Sequence, residues 1–266
     1  MADGEAPLLA VDDLSIDFGD GPVVDHVSLT VQPGDRVGII GESGSGKTLT
    51  ALAIIGLAPD NALITGSIRW NGQELLGRSD RELSRMRGEA VAMVFQNPLN
   101  ALNPVMRVGR QIAEPLRLHY DMSRAKAAAA AAELCRLVGL PDPHSAAKAF
   151  PHQLSGGQRQ RVGIAIALAC QPALLIADEP TTALDVTVQA EVLELLRDLI
   201  EQRDTALVFI THDLALVSGI TDRLLVMREG AVVEEGPTDE LVRAPNHPYT
   251  RQLLAAARAT ALEATP

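Results

Sequence analysis

"RVGIIGESGSGKT" runs from Arg36 to Thr48. Its first five residues are a short apolar run, the pattern of a buried strand that feeds a loop. The next eight match G-x-x-x-x-G-K-[ST] in full, and "TLTALAIIGL" from Thr48 onward reads as a helix. Strand, Gly-rich loop and helix in that order form the context in which such a loop cradles phosphate. Glycines let backbone N–H groups wrap the phosphates, Lys47 places a positive charge at the β and γ oxygens, and the Thr48 hydroxyl is a hard oxygen ligand for Mg²⁺. The plain alternative is a Gly/Ser turn with a surface lysine, and both flanks argue against it. Nucleotide contact is therefore expected at Gly41, Glu42, Ser43, Gly44, Ser45, Gly46, Lys47, Thr48 and Leu49, with ATP and Mg²⁺ as cofactors.

Working outward, the rest of the chain supplies a sheet around that loop. Leu14, Ile16 and Phe18 alternate with polar residues, as do Val27, Leu29 and Val31, which predicts half-buried antiparallel strands joined by "FGDGP". "ALLIAD" (173–178), "ALVFIT" (206–211) and "RLLVM" (223–227) are continuous apolar runs, the mark of strands buried on both faces. Between about Asn97 and Gln153 the character changes. Pro98, Pro104 and Pro115 punctuate this stretch, and Ser123 to Val138 is an alanine-rich helix stopped by Gly139. The fold expected is α/β: a mostly parallel P-loop NTPase core, an N-terminal antiparallel β layer and an inserted α-helical lobe. The expected divisions are 1–96 for the β layer and first part of the core, 97–157 for the lobe, 158–236 for the second part of the core and 237–266 for a helical tail.

Four further residues fall at or just beyond the C-terminal ends of predicted parallel strands, the edge at which ligands of such sheets sit. Asp178 ends "ALLIAD" and is suited to holding Mg²⁺. Glu179 follows, placed to polarise the water that attacks a γ-phosphate. Gln96 follows "VAMVF", and its amide suits Mg²⁺ or the attacking water. His212 follows "ALVFIT" and suits a γ-phosphate contact. On spacing alone Gln96 and His212 are equally well read as structural.

Composition narrows the field. The chain has 266 residues, 47% hydrophobic, and a formal net charge of -11, which argues against broad nucleic-acid binding. Its two cysteines, Cys135 and Cys170, read as buried free thiols and imply no disulfide framework or cysteine-based metal site. The N-terminus lacks a signal-peptide layout, and Gln171-Pro172 splits the most apolar stretch, so neither half would cross a bilayer.

A second glycine-bearing stretch, "LSGGQRQR" from Leu154, sits where a helix starts, a position at which backbone N–H groups approach anions. Together with the phosphate loop and "LLIADEPTTALD", it resembles the nucleotide-binding subunit of an ABC transporter over nearly the whole chain. The resemblance implies ATP-driven transport with two ATPs sandwiched between two ATPase subunits. Ser155, Gly156, Gly157 and Gln158 would then face the ATP held by the opposing subunit. Asp185 would lie in the loop touching that subunit, Gln96 in the loop joining core and lobe, and His212 would be the switch histidine. Phe18 would stack on adenine; its plain reading is a core residue sharing a face with Leu14 and Ile16.

"VFQNPLNALNPVMRVGRQIAEPL" and "HPYTRQLL" narrow the resemblance to the peptide/nickel importer group, implying import of di- or oligopeptides, or of nickel or metal chelates. Expected partners are a second ABC ATPase subunit (a paralogue or another copy of this chain), two membrane permease subunits and an extracytoplasmic binding protein, with no nucleic acid. The expected place is peripheral, on the cytoplasmic face of the membrane. Some peptide importers of this group carry a cysteine cluster beyond "HPYT"; no cysteine follows Cys170, so no iron–sulfur cluster is expected. "HPYT" itself, with proline at a helix start, is expected to dock the tail and to take no part in catalysis. A soluble ABC ATPase acting on DNA, RNA or ribosomes and a nucleotide-binding regulator are the rival readings. Such soluble ATPases usually add a coiled coil, a zinc module or a second cassette, and none is visible here.

Overall fold

In the computed structural model, residues 6–182 and 184–263 are described. The alternating N-terminal segments pair antiparallel as β1 (Leu9–Asp17) and β2 (Pro22–Val31), and residues 18–21 make the turn between them. β3 (Arg36–Ile40) delivers the chain to the phosphate loop, and α1 (Lys47–Ile54) carries it away. β4 (Leu63–Trp70) returns to pair with β1, and β5 (Gln73–Glu74) pairs with β4. α2 (Asp80–Met86) starts beside Ser79, whose backbone N–H donates to the Glu82 carboxylate at 3.0 Å. This is one half of a capping box.

β6 (Val91–Val94) precedes a run of helices: α3 (Pro98–Ala101), α4 (Val108–Tyr120), α5 (Arg124–Leu137) and α6 (Pro143–Lys148). Ser123 caps α5 by accepting the Lys126 N–H. Pro115 does not break the chain here; it lies inside α4. Proline costs a helix one hydrogen bond, but α4 buries Val108, Ile112, Ala113 and Leu116, at about 1.5–3 kcal/mol for each fully buried large apolar side chain, and packing overrides the local signal.

α7 (Gly156–Ala167) and β7 (Leu174–Asp178) are the two halves of the apolar stretch divided at Gln171-Pro172. α8 (Val186–Glu201), β8 (Ala206–Thr211), α9 (Leu214–Val217), the hairpin of β9 (Arg223–Arg228) and β10 (Ala231–Pro237), α10 (Thr238–Arg243) and α11 (Pro248–Glu263) complete the chain.

These elements form two compact units. The first comprises the chain up to Leu83 together with the chain from Ala206, and the second is Ser84–Thr205. In the first, β3 lies parallel to both β8 and β9, with Ile40 opposite Thr211 and Val226. In the second, β6 lies parallel to β7, with Val94 opposite Ala177. Every residue of β7 and of β8 is buried, as continuous apolar runs require. No helix among the described residues is long and apolar enough to cross a membrane.

Candidate functional site

The phosphate loop leaves β3 through a constriction that only glycine passes. A Cβ on Gly41 would lie 2.1 Å from the Met227 carbonyl oxygen. Gly46, the N-cap of α1, has φ 95°, a left-handed conformation open to glycine at little cost. Between them the loop is closed by its own lysine. Lys47 Nζ donates to the carbonyls of Gly41 at 2.8 Å and Glu42 at 2.7 Å and to Ser45 Oγ at 3.3 Å. The lysine is buried, so an ammonium is held inside a loop of backbone amides. Glu42, Ser43, Gly44 and Thr48 are exposed, and Leu49 is half-buried. Because Ile40 and Thr211 are register partners on parallel strands, the loop and exposed His212 leave the sheet at the same edge. Phe18 lies one residue beyond β1 and is half-buried, whereas Leu14 and Ile16 are wholly buried.

The second unit repeats this edge logic. Val94 and Ala177 are register partners, so Gln96 and the Asp178–Glu179 pair emerge side by side. Gln96 Nε2 donates to Glu179 Oε2 at 3.1 Å, and Thr182 Oγ1 donates to the same oxygen at 2.7 Å. Asp178 is 2% exposed, and Glu179 follows it with φ 43°. That left-handed turn is uncommon for a residue with a side chain and marks a constrained position. Among the described residues, no three His, Cys, Asp or Glu side chains converge on a metal-sized site. A cation held mainly by phosphate oxygens needs no such cage, and Thr48, Gln96 and Asp178 each carry a hard oxygen of the kind Mg²⁺ prefers.

The "LSGGQ" stretch begins α7 as a complete capping box. Ser155 Oγ accepts the Gln158 N–H at 3.3 Å, and Gln158 Oε1 accepts the Ser155 N–H at 2.9 Å. The two glycines have different reasons to be there. A Cβ on Gly157 would meet Val188 Cγ1 at 2.4 Å, so this glycine lets α7 approach α8. Among the described residues, a Cβ on exposed Gly156 would meet nothing nearer than Leu184 Cδ2 at 3.5 Å, an ordinary contact, and neither glycine has positive φ. Gly156 therefore meets no steric demand from the described residues. Asp185 has a local role as the N-cap of α8, its Oδ1 accepting the Val188 N–H at 3.0 Å.

Sequence reasoning missed one residue at the phosphate loop. Tyr249, from "HPYT", accepts the Glu42 N–H on its hydroxyl at 3.0 Å. The two lie 207 positions apart, and only the tyrosine's unusual place in an otherwise polar helix start hints at it. A small pocket of about 170 Å³ between loop and tail is lined by Ser43, Arg228, Tyr249 and Gln252 among others.

A phosphate loop between strand and helix, a glutamine hydrogen-bonded to an acidic residue at a neighbouring strand end, and a capped Gly-Gly helix start define an ATP-binding cassette. The ABC transporter family model matches residues 24–182, and the chain belongs to that family. It is an ABC-type ATPase with the α/β P-loop NTPase fold. It is 47% identical over 251 residues to the oligopeptide transport ATP-binding protein OppD of Salmonella typhimurium, covering 93% of this chain and 75% of that protein. It is 49% identical over 256 residues to the peptidoglycan transport ATP-binding protein YejF of Agrobacterium fabrum, covering 94% of this chain and 47% of that one. Among solved structures, a dimeric ATP-binding cassette in a post-hydrolysis state bound to ADP and Pi matches with a TM-score of 0.77 and 29% identity. That match covers 86% of this chain and 98% of the other.

Proposed function

We propose that this ATPase powers peptide uptake, working with a second ATPase subunit, two membrane permease subunits and an extracytoplasmic peptide-binding protein, on the cytoplasmic face of the membrane. The Gln96–Glu179 hydrogen bond carries the catalytic part of this reading. It ties the expected base to the loop expected to join core and lobe, so a shift of Gln96 would reorient the carboxylate. The peptide class is supported by the names of relatives such as OppD, and none of the relatives described above is named for nickel.

In this reading, phosphoryl transfer draws mostly on positioning and charge neutralisation. Backbone amides of Gly44 to Thr48 hold the phosphates, whose oxygens compete with the Gly41 and Glu42 carbonyls for the Lys47 ammonium. Glu179 orients the attacking water and takes its proton, and Thr182 and Gln96 hold its carboxylate. His212 donates to the γ-phosphate. Thr48, Gln96 and Asp178 would hold Mg²⁺, which neutralises phosphate charge when bound. Ser155, Gly156, Gly157 and Gln158 present the positive end of α7 to the ATP of the opposing subunit. Asp185 lies in the loop facing that subunit, and Phe18 stacks on adenine.

The test is reconstitution with the partner subunits in liposomes, followed by ATP hydrolysis and uptake of a labelled oligopeptide. Glu179→Gln should bind ATP normally and lose at least a hundredfold in hydrolysis, in line with loss of a general base. Hydrolysis at the normal rate in that variant would refute the assignment of the base, and uncoupled hydrolysis without peptide uptake would refute the transport reading.

A further inference from the structure

The tail tyrosine and the loop lysine grip one peptide group from opposite sides. The peptide joining Gly41 to Glu42 offers its carbonyl to Lys47 Nζ at 2.8 Å and its N–H to the Tyr249 hydroxyl at 3.0 Å. Polarisation of one hydrogen bond strengthens the other when both share a peptide. The group has little freedom otherwise, because Gly41 is packed against the Met227 carbonyl. The tyrosine is itself fixed. It is 3% exposed, and the Arg228 guanidinium lies 5.2 Å from its ring centroid. The start of α11 is anchored by Glu234, which accepts the Asn246 and His247 N–H groups at 2.7 and 3.2 Å. A rigid hydroxyl on a rigid helix start thus meets the first turn of the loop.

We propose that Tyr249 is a positioning residue for the phosphate loop, setting the orientation of the Gly41–Glu42 peptide and through it the Lys47 ammonium, so that the C-terminal helix tunes nucleotide affinity. This rests on the reading of Gly41–Thr48 as the nucleotide cradle. Tyr249 touches neither the expected phosphates nor the attacking water; it acts through Glu42 and Lys47.

Tyr249→Phe keeps the ring and removes only the hydroxyl. In the full chain it should raise the Kd for ATP by about fivefold, the effect of one lost neutral hydrogen bond. In the assembled ATPase it should raise KM while leaving kcat unchanged, because the loop binds ground and transition states alike. Amide exchange at Glu42 should be slow in the parent chain and fast in the variant. Lys47→Ala is measured in parallel. If Lys47→Ala loses ATP binding while a folded Tyr249→Phe retains parental Kd and KM, the positioning role is wrong and the cradle stands. If Lys47→Ala changes nothing, the cradle reading fails first. Rapid exchange of the Glu42 amide in the parent chain overturns the proposal even if the variant does not fold.

Discussion

Replacing the two signature glycines separately distinguishes packing from function. Alanine at either position gains a similar amount of helix propensity, about 1 kcal/mol, so comparing the two variants cancels that term. What remains is the clash. At Gly156 the new methyl sits 3.5 Å from Leu184 Cδ2 and costs nothing. At Gly157 it sits 2.4 Å from Val188 Cγ1, more than an ångström inside normal carbon–carbon contact, and α7 or Val188 must move. Overpacking of this kind costs about 1–3 kcal/mol. Gly157→Ala should therefore melt below Gly156→Ala by roughly 2–12 °C in calorimetry, at about 2–4 °C per kcal/mol for a chain of this size. Adding Val188→Ala should narrow the gap. A functional arm follows from the same geometry. Gly156→Asp places a carboxylate at an exposed helix N-terminus, where it is favourable by about 0.3–1 kcal/mol. The isolated chain should stay folded and bind ATP, while hydrolysis in the assembled transporter should fall by at least a hundredfold from repulsion of the opposing γ-phosphate. Equal melting temperatures for the two alanine variants would refute the packing argument, and undiminished hydrolysis by Gly156→Asp would refute the contact across the dimer.

Two further outcomes follow from titrating groups. Burial pushes the thiols of Cys135 and Cys170 up to about 11, so the folded chain should resist iodoacetamide at pH 8 while both cysteines label in urea; rapid labelling of the native chain contradicts this. Burial opposes the charged form of Glu234, but the Thr250 hydroxyl and the Asn246 and His247 amides together outweigh it and hold its carboxyl below the ordinary 4.5. A depressed carboxyl stabilises the fold above its unfolded pKa and loses that contribution as pH falls through the folded value. Amide exchange at Asn246 and His247, corrected for intrinsic rates, should therefore accelerate as pH drops below 4.5, and Glu234→Gln should abolish the pH dependence. A pH-independent exchange in the parent chain would contradict the argument.

What could be read in the chain was what local physics writes there. The strand, loop and helix around Lys47 lie within twenty residues, and period-two and continuous apolar runs placed the antiparallel and buried strands. Asp178, Gln96 and His212 were legible as strand-end residues, although the Gln96–Glu179 hydrogen bond, 83 positions apart, was not. Pro115 reads as punctuation of the lobe, yet it lies inside α4, whose buried face is set by tertiary packing. Gly157 reads as an anion-binding glycine; its added role of making room for Val188 from another helix was not legible. Tyr249 reads as part of a tail-docking motif, and nothing near it in the chain foretells a contact with Glu42.

The contact of Gly157 with Val188 has a mechanical consequence. Val188 is tied to Asp185 through its N–H, and its side chain occupies the notch that Gly157 leaves in α7. The starts of α7 and α8 are thus meshed like two teeth. A displacement delivered to the serine-capped helix is passed directly to the aspartate-capped one, so the two advance or retreat as a single gear.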